Sequence, residues 1–419
     1  MIEIKTGKIK DTTVSVPGSK SYTHRILIAE ALSDGKCVID NVLQSEDTLF
    51  TIACLKKMGI KVEAEEGRFY VHGTGGRLQS PKEPMDLGNS GTSMRLLTAV
   101  AALGQGRCVL SGTQRMQQRP IQDLLDGLNQ LGVIARSVNR NGCPPVEITG
   151  GNINGGKVSL DCHISSQFLS ALLLVAPFAK ESVEILVIRG PVSRPYVDIT
   201  VSVMETFGAT VMRDGYEHFT VPGGQKYQSG AYTVEPDYSQ AGYFWAAAAI
   251  SGAGFKVKKT AIESRQGDVR FTEVLKKMGC EAYDEKDGIR IVGKPLTATT
   301  VDMGDMPDIV PTLAVVAAFA KGTTVIENVA HLKDKESDRL SSVARELSKM
   351  GIEASATDSG LIIKGGTPHG AEIETYNDHR IAMSFALAGL RVKGVKIKNE
   401  TCVKKSFPDF WEVFGQLYQ

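Results

Sequence analysis

Five times along the chain an amphipathic segment ends in a glycine and gives way to an alternating stretch. The copies are LKKMGIKVEA at 55–64, LNQLGVIARS at 128–137, METFGATVMR at 204–213, LKKMGCEAYD at 275–284 and LSKMGIEASA at 347–356. Their glycines, Gly59, Gly132, Gly208, Gly279 and Gly351, recur every 71 to 76 residues. A glycine just after a helical pattern is the expected stop, because it takes up the left-handed conformation that closes a helix. A period this long, repeated this often, constrains the fold strongly: each copy is one supersecondary unit that buries its apolar face against its neighbours. A second set of segments keeps step with the first, beginning near Ser21, Gly91, Ser166, Gln240, Ile309 and Asp378. They run ILIAEAL, MRLLTAVAAL, FLSALLLVAPFA, YFWAAAAIS, VPTLAVVAAFA and IAMSFALAGL, apolar nearly all round, which marks helices buried inside a domain. Stretches such as RFYVHGTG (68–75) and VEITGG (146–151) read as strands closed by glycine turns, and FPDFWEVFGQLYQ as a shortened sixth surface helix.

Six βαβ-type units with buried helices predict an α/β (α+β) fold of two domains, three units each, with helices inside and sheets outside. The length of 419 residues also exceeds what one core ordinarily serves. The boundary is expected near VEPDYSQAGY (234–243), and MIEIKTGKIK at the N-terminus alternates like a strand. If that strand pairs with the second domain, the chain crosses twice. One domain is then 19–236 and the other 1–18 with 237–419. Ligands are expected in the cleft between them, where the starts of the buried helices converge.

Composition narrows the partners. Forty-eight Lys plus Arg against 47 Asp plus Glu leave a net charge of +1, so no bulk field draws nucleic acid or an anionic membrane. Seven cysteines without a CxxC spacing read as small buried residues of a reduced protein, not as a disulfide framework or zinc site. The longest apolar stretches, such as 168–179, fall short of the roughly 18 residues a membrane span needs. No signal peptide is expected ahead of MIEIKTGKIK, and a soluble, cytoplasmic monomer is anticipated.

The polar exceptions gather where the buried helices begin. In VPGSKSYTHR a Pro-Gly turn leads into Ser19, Lys20 and Ser21, with Arg25 a turn further on. Cations at that end oppose the helix macrodipole, so an anion is expected to complete the site. LGNSGTSMR supplies Asn89, Ser90, Gly91, Thr92 and Arg95, with small residues that let backbone N–H groups approach a ligand. QRMQQRPIQD adds Arg115, Arg119 and Pro120, HISSQFL adds Ser165, Ser166 and Gln167, and VSRPYVD adds Ser193, Arg194 and Tyr196. In the second half MPDIVPT places Asp308 at a helix mouth, and KDKESDRL packs Lys333, Lys335, Glu336, Asp338 and Arg339 together. YNDHRIAMS brings Asn377, Asp378, His379 and Arg380 against an apolar helix, and CVKKSFPDF adds Lys404 and Lys405. Each segment alone reads equally well as a capped turn, a solvated loop or a solvated charge run. Recurrence at equivalent ends favours a site for two anionic groups or two anionic substrates. No nucleotide-binding glycine loop, HExxH or GxSxG motif occurs. Acid–base chemistry by Asp, Glu and Lys among fixed cations remains, which suits group transfer between phosphorylated substrates.

Taken in order, PGSKS with Arg25, GNSGTSMR, QRPI, SSQF, SRPYVD, KESDRL, YNDHRIAM and KKSFPDF resemble the 5-enolpyruvylshikimate-3-phosphate synthase family of enolpyruvyl transferases, over about residues 14 to 411. The resemblance implies two domains of three βαβαββ units, the inside-out barrel fold. It implies transfer of the enolpyruvyl group of phosphoenolpyruvate to the 5-hydroxyl of shikimate 3-phosphate, with loss of phosphate, a tetrahedral intermediate, and no metal or organic cofactor. Carried over by motif, Lys20, Ser21, Arg25, Ser165, Ser166, Gln167, Ser193, Tyr196, Asp308, His331 and Lys335 would contact shikimate 3-phosphate. Lys20, Asn89, Gly91, Arg119, Gln167, Arg339, Arg380 and Lys405 would contact phosphoenolpyruvate. Asp308 would take the 5-hydroxyl proton, Glu336 would handle the proton at the methylene carbon, and Lys20 and Lys405 would assist. Two positions depart from the pattern: His331 stands where members often carry Asn, and Leu96 where many carry Pro. Gly91 matches the form associated with sensitivity to the phosphonate glyphosate. The sister family acting on UDP-N-acetylglucosamine usually has a reactive Cys where Gln117 and Gln118 stand, and Lys-Asn in place of Lys20-Ser21. A non-catalytic anion binder and a nucleic-acid-binding repeat protein are the rivals from other classes.

Overall fold

The same order of elements is built six times. A strand leads into a buried helix, a second strand follows, parallel to the first in four of the six units, and a surface helix comes next, with an antiparallel hairpin completing five of them. The computed structural model describes residues 1–65 and 67–418, and the chain divides into Gly18–Val234 and Met1–Pro17 with Glu235–Gln419. In the first of these, the buried helices are Lys20–Leu32, Gly91–Ala101 and Gln167–Val175. In the other they are Tyr238–Ser251, Val310–Ala317 and His379–Ala386. In Tyr238–Ser251 all residues but the last are buried, as an all-round apolar sequence requires. Surface helices Glu46–Lys57, Gln122–Gln130, Pro195–Thr206, Phe271–Lys277 and Arg339–Lys349 stop at the five predicted glycines, whose φ angles lie between 79° and 112°. The sixth, Phe410–Gly415, is short, as its sequence suggested.

The sheets show how each unit closes. Gly156–Asp161 runs parallel to Val183–Arg189, which continues antiparallel into His218–Val221 and then Met212–Asp214. Thr300–Asp302, Thr323–Glu327, Leu361–Lys364 and Glu353–Ala356 repeat that arrangement. Two linkers are exchanged. Thr12–Val14, which directly precedes the helix Lys20–Leu32, instead pairs in parallel with Gly254–Lys258. Ala231–Thr233, which precedes Tyr238–Ser251, pairs in parallel with Lys36–Asp40. The sixth sheet takes its antiparallel strand from the other end of the chain, with Ile2–Glu3 against Lys396–Ile397. Every sheet is open; among the described residues none closes into a barrel.

Side-chain caps mark four of the six buried-helix starts. Ser19 accepts from the Tyr22 amide, Ser90 from Ser93, Asp237 from Gln240 and Asp378 from Arg380. These bonds use amides that the helix itself cannot satisfy. Among the described residues no helix is long and apolar enough to cross a membrane.

Candidate active site

In the unit Gly18–Val234, Lys20 is the first residue of its helix, with its Nζ 3.3 Å from Asp47 Oδ2. The Asp47 side chain is 2 % exposed and that of Lys20 11 %. The acid that the first helix turn lacks is therefore supplied by the surface helix Glu46–Lys57. Arg25 is buried and tied down: Nε donates to Thr200 Oγ1 at 2.7 Å, Nη1 to the Ser21 carbonyl, and Nη2 to Ser170 Oγ and the Tyr196 carbonyl. Burial pulls its pKa down to about 10, which still leaves the guanidinium charged at neutral pH. Thr200, Ser170 and Tyr196 lie on two other helices, so Arg25 fixes the starts of three elements relative to one another.

Gln167 opens the third buried helix and is held from both ends. Arg95 Nη1 donates to its Oε1 at 2.8 Å, and its own Nε2 donates to Thr92 Oγ1 at 3.0 Å. Arg95 also reaches Ser165 Oγ and the Pro120 carbonyl. Ser165 Oγ accepts from the Gln167 amide. Ser166 is buried at the cap position without a side-chain cap bond. Arg119 is 4 % exposed and donates from Nη1 to the Asn89 carbonyl. Its guanidinium lies so close over Gly91 that an added Cβ would stand 2.5 Å from Nη2. Glycine at 91 is thus a matter of room for Arg119. Ser193, buried, has φ 56° in the turn before Pro195–Thr206.

In the other unit the charges interlock. Asp308 lies in the one-turn segment Pro307–Ile309 that feeds Val310–Ala317. Its Oδ1 accepts from Arg339 Nη1 and its Oδ2 from Arg380 Nη2, each at 3.0 Å. Arg339 also donates to Glu336 Oε2 at 2.9 Å and to Asp378 Oδ2 at 2.8 Å. Burial opposes the charge on Arg339, but Asp378, Glu336 and Asp308 outweigh it and raise its pKa above the ordinary value. The same holds for Arg380, where burial is outweighed by Asp308, Tyr243 and Asp237. Lys405 Nζ stands 3.8 Å from Glu336 Oε1, both side chains 8 % exposed. Arg380 Nε is buried with no hydrogen-bond partner among the described residues. His331 is buried, and desolvation, with Lys335 nearby, pushes its pKa down to about 3, so its imidazole is neutral at physiological pH. Lys335 is partly exposed and Lys404 is exposed.

KESDRL is therefore no solvated charge run: Arg339 is the first residue of its helix and 2 % exposed. Sequence reasoning misses Asp47, and names Arg95 and Asp378 at helix starts without giving either a role. Asp47 carried a signal in SEDT, a capped helix start with acids in its first turn. Asp378 carried one as the cap of the helix that bears Arg380.

The fold and these side chains define a class: a two-unit α/β protein of sixfold internal repeat, with charged acid–base groups fixed at and beside helix starts. Comparison with known proteins makes the class particular. A family profile described as EPSP synthase (3-phosphoshikimate 1-carboxyvinyltransferase) matches residues 4–414. A 3-phosphoshikimate 1-carboxyvinyltransferase of Syntrophobacter fumaroxidans is 44% identical over 407 residues, 96% of each chain. A chloroplastic one of Solanum lycopersicum is 44% identical over 434 residues, covering 98% of this chain and 84% of that one. A solved EPSP synthase from Acinetobacter baumannii superimposes with a TM-score of 0.83 at 30% identity, covering 99% of this chain and 97% of that one. The chain belongs to the EPSP synthase family.

Proposed function

We infer that this chain transfers the enolpyruvyl group of phosphoenolpyruvate to the 5-hydroxyl of shikimate 3-phosphate and releases phosphate, a step of the shikimate pathway toward chorismate and the aromatic amino acids. The observation that carries the reading is Asp308, a carboxylate at a buried-helix mouth oriented by Arg339 and Arg380. In this reading Asp308 accepts the 5-hydroxyl proton as that oxygen attacks C2 of phosphoenolpyruvate, and a proton is delivered to C3, giving the tetrahedral intermediate. Collapse removes a proton from the new methyl group, re-forms the double bond and expels phosphate. Glu336 handles the proton at carbon, and Lys405 beside it assists. Arg380, with Nε unsatisfied, and Arg339 hold the phosphoenolpyruvate anion with Arg119 and Lys20, since a buried guanidinium N–H calls for an acceptor. The helix starts around Lys20, Ser21, Arg25, Ser165, Ser166, Gln167, Ser193 and Tyr196 serve shikimate 3-phosphate. These groups are divided between the two units. The reading takes the working protein to be a cytoplasmic monomer needing no metal or organic cofactor.

The test is release of phosphate that requires both shikimate 3-phosphate and phosphoenolpyruvate. Release with UDP-N-acetylglucosamine in place of shikimate 3-phosphate would overturn the assignment. Asp308→Asn removes the base but keeps the shape. It is expected to bind shikimate 3-phosphate normally by calorimetry while turnover falls about 10²–10⁴-fold. Unchanged turnover would remove Asp308 from the role.

A further inference from the structure

The arginine cluster depends on a backbone turn whose conformation is costly. Thr375–Asp378 is closed by the Asp378 amide donating to the Thr375 carbonyl at 2.7 Å, and its two central residues, Tyr376 and Asn377, have φ 52° and 54°. Positive φ at both central positions is the signature of a type I′ turn, which favours Gly, Asn and Asp. Asn377 suits it; a tyrosine does not, because a bulky L residue is strained there. The turn delivers Asp378, on which the cluster relies. Asp378 accepts from Arg339 Nε at 2.8 Å and from Ser337 Oγ at 3.0 Å, and caps the helix that carries Arg380.

What holds the strained tyrosine is Glu346, whose side chain is fully buried. Its Oε1 accepts from Tyr376 Oη at 2.6 Å. Its Oε2 accepts from the Glu374 amide at 3.0 Å and from Lys349 Nζ at 2.7 Å. Glu346 and Arg339 lie seven residues, two turns, apart on the helix Arg339–Lys349, and so share one face. That one helix face grips the 374–378 segment at two points, Glu346 on Tyr376 and Arg339 on Asp378. We propose that Glu346 is a positioning residue, acting through the Tyr376 hydroxyl to hold the turn that sets Asp378, and with it Arg339 and Arg380, in place. Its kinetic consequence rests on the reading that those arginines hold phosphoenolpyruvate.

Tyr376→Phe deletes only the hydroxyl. Loss of one charge-assisted bond from the chain is expected to raise KM for phosphoenolpyruvate about tenfold, with KM for shikimate 3-phosphate changed less than twofold. Glu346→Gln keeps an amide oxygen for Tyr376 Oη and is expected to fall between wild type and Tyr376→Phe. A merely structural role would move both Michaelis constants together or neither, and either result overturns the proposal. Amide hydrogen exchange of the substrate-free proteins reads the same claim without turnover. Protection at 376–380 should fall at least tenfold in Tyr376→Phe while the helix 339–349 keeps its own. Unchanged protection at 376–380 overturns the positioning role, whereas a wild-type protein that turns over neither substrate overturns only the proposed function.

Discussion

An alanine at 91 would place its Cβ 2.5 Å from Arg119 Nη2 and 2.7 Å from Cζ. The guanidinium must then retreat by about 1 Å to reach ordinary contact, and its bond to the Asn89 carbonyl goes with it. Gly91→Ala is therefore expected to keep catalysis with a several-fold higher KM for phosphoenolpyruvate. Glyphosate, one atom longer between carboxylate and phosphorus, should lose inhibition far more. Steady-state inhibition of both proteins checks this, and equal inhibition constants would refute it. A second residue acts on stability alone. Glu30 is buried near the end of the helix Lys20–Leu32, and neither carboxylate oxygen has a hydrogen-bond partner among the described residues. Burial raises its pKa to about 9. A folded-state value above the unfolded one means that the carboxyl is harmless to stability at or below about pH 4.5, and increasingly costly as pH rises toward 9. Glu30→Gln should thus raise Tm at pH 8 by more than at pH 5 in parallel thermal melts. A shift of the same size at both pH values would show that the carboxyl ionises equally in both states.

At the scale of elements, much of this architecture could be read from the sequence because its causes are local. A helix stop at glycine, an all-round apolar helix and a Ser or Asp cap are written within a few residues of where they act, and five stops and six buried helices stand where periodicity put them. The resemblance supplied roles through the same short motifs. Partnerships made across the chain stayed hidden. Lys20 meets Asp47 27 residues away, Arg95 meets Gln167 at a separation of 72, and Arg339 meets Asp378 at 39. Each motif displayed its cations but not the acid or amide that another helix brings to them. KESDRL looks solvated for this reason: Glu336 is the one partner of Arg339 within the motif, and only assembly of the repeat brings Asp378 and Asp308 from other elements to about 3 Å. Which strand completes which repeat is legible only in part: the sequence assigns the N-terminal strand to the domain of 237–419, but nothing in its residues singles out Gly254–Lys258 as its partner.

That exchange makes the two halves of the molecule unequal as fragments. Residues 18–234 contain every strand of their three sheets in one continuous segment. Residues 235–419 do not: Ile2–Glu3 and Thr12–Val14 both come from the distant N-terminus. Ile4, Val14 and Val16 are buried in the core of that unit, and Ile4 packs directly on Gly389, where any Cβ would meet it at 2.4 Å. Three buried aliphatic side chains contribute roughly 1.5–3 kcal/mol each, a sum comparable with the about 5–15 kcal/mol that holds an ordinary domain folded. Loss of Thr12–Val14 also turns Gly254–Lys258 into an unpaired edge, exposing it to aggregation. Produced alone, 18–234 is therefore expected to melt cooperatively by circular dichroism, whereas 235–419 is expected to show no cooperative transition. Gly7 lies beside Tyr418, with a built Cβ 3.5 Å from its ring, so a flexible Gly/Ser linker long enough to span the roughly 20 Å that the six residues from Met1 to Gly7 can cover should join 235–419 to 1–17 and restore a cooperative melt. A cooperative transition of 235–419 at the temperature of the rejoined fragment would mean that the N-terminal strands add nothing to the unit they complete.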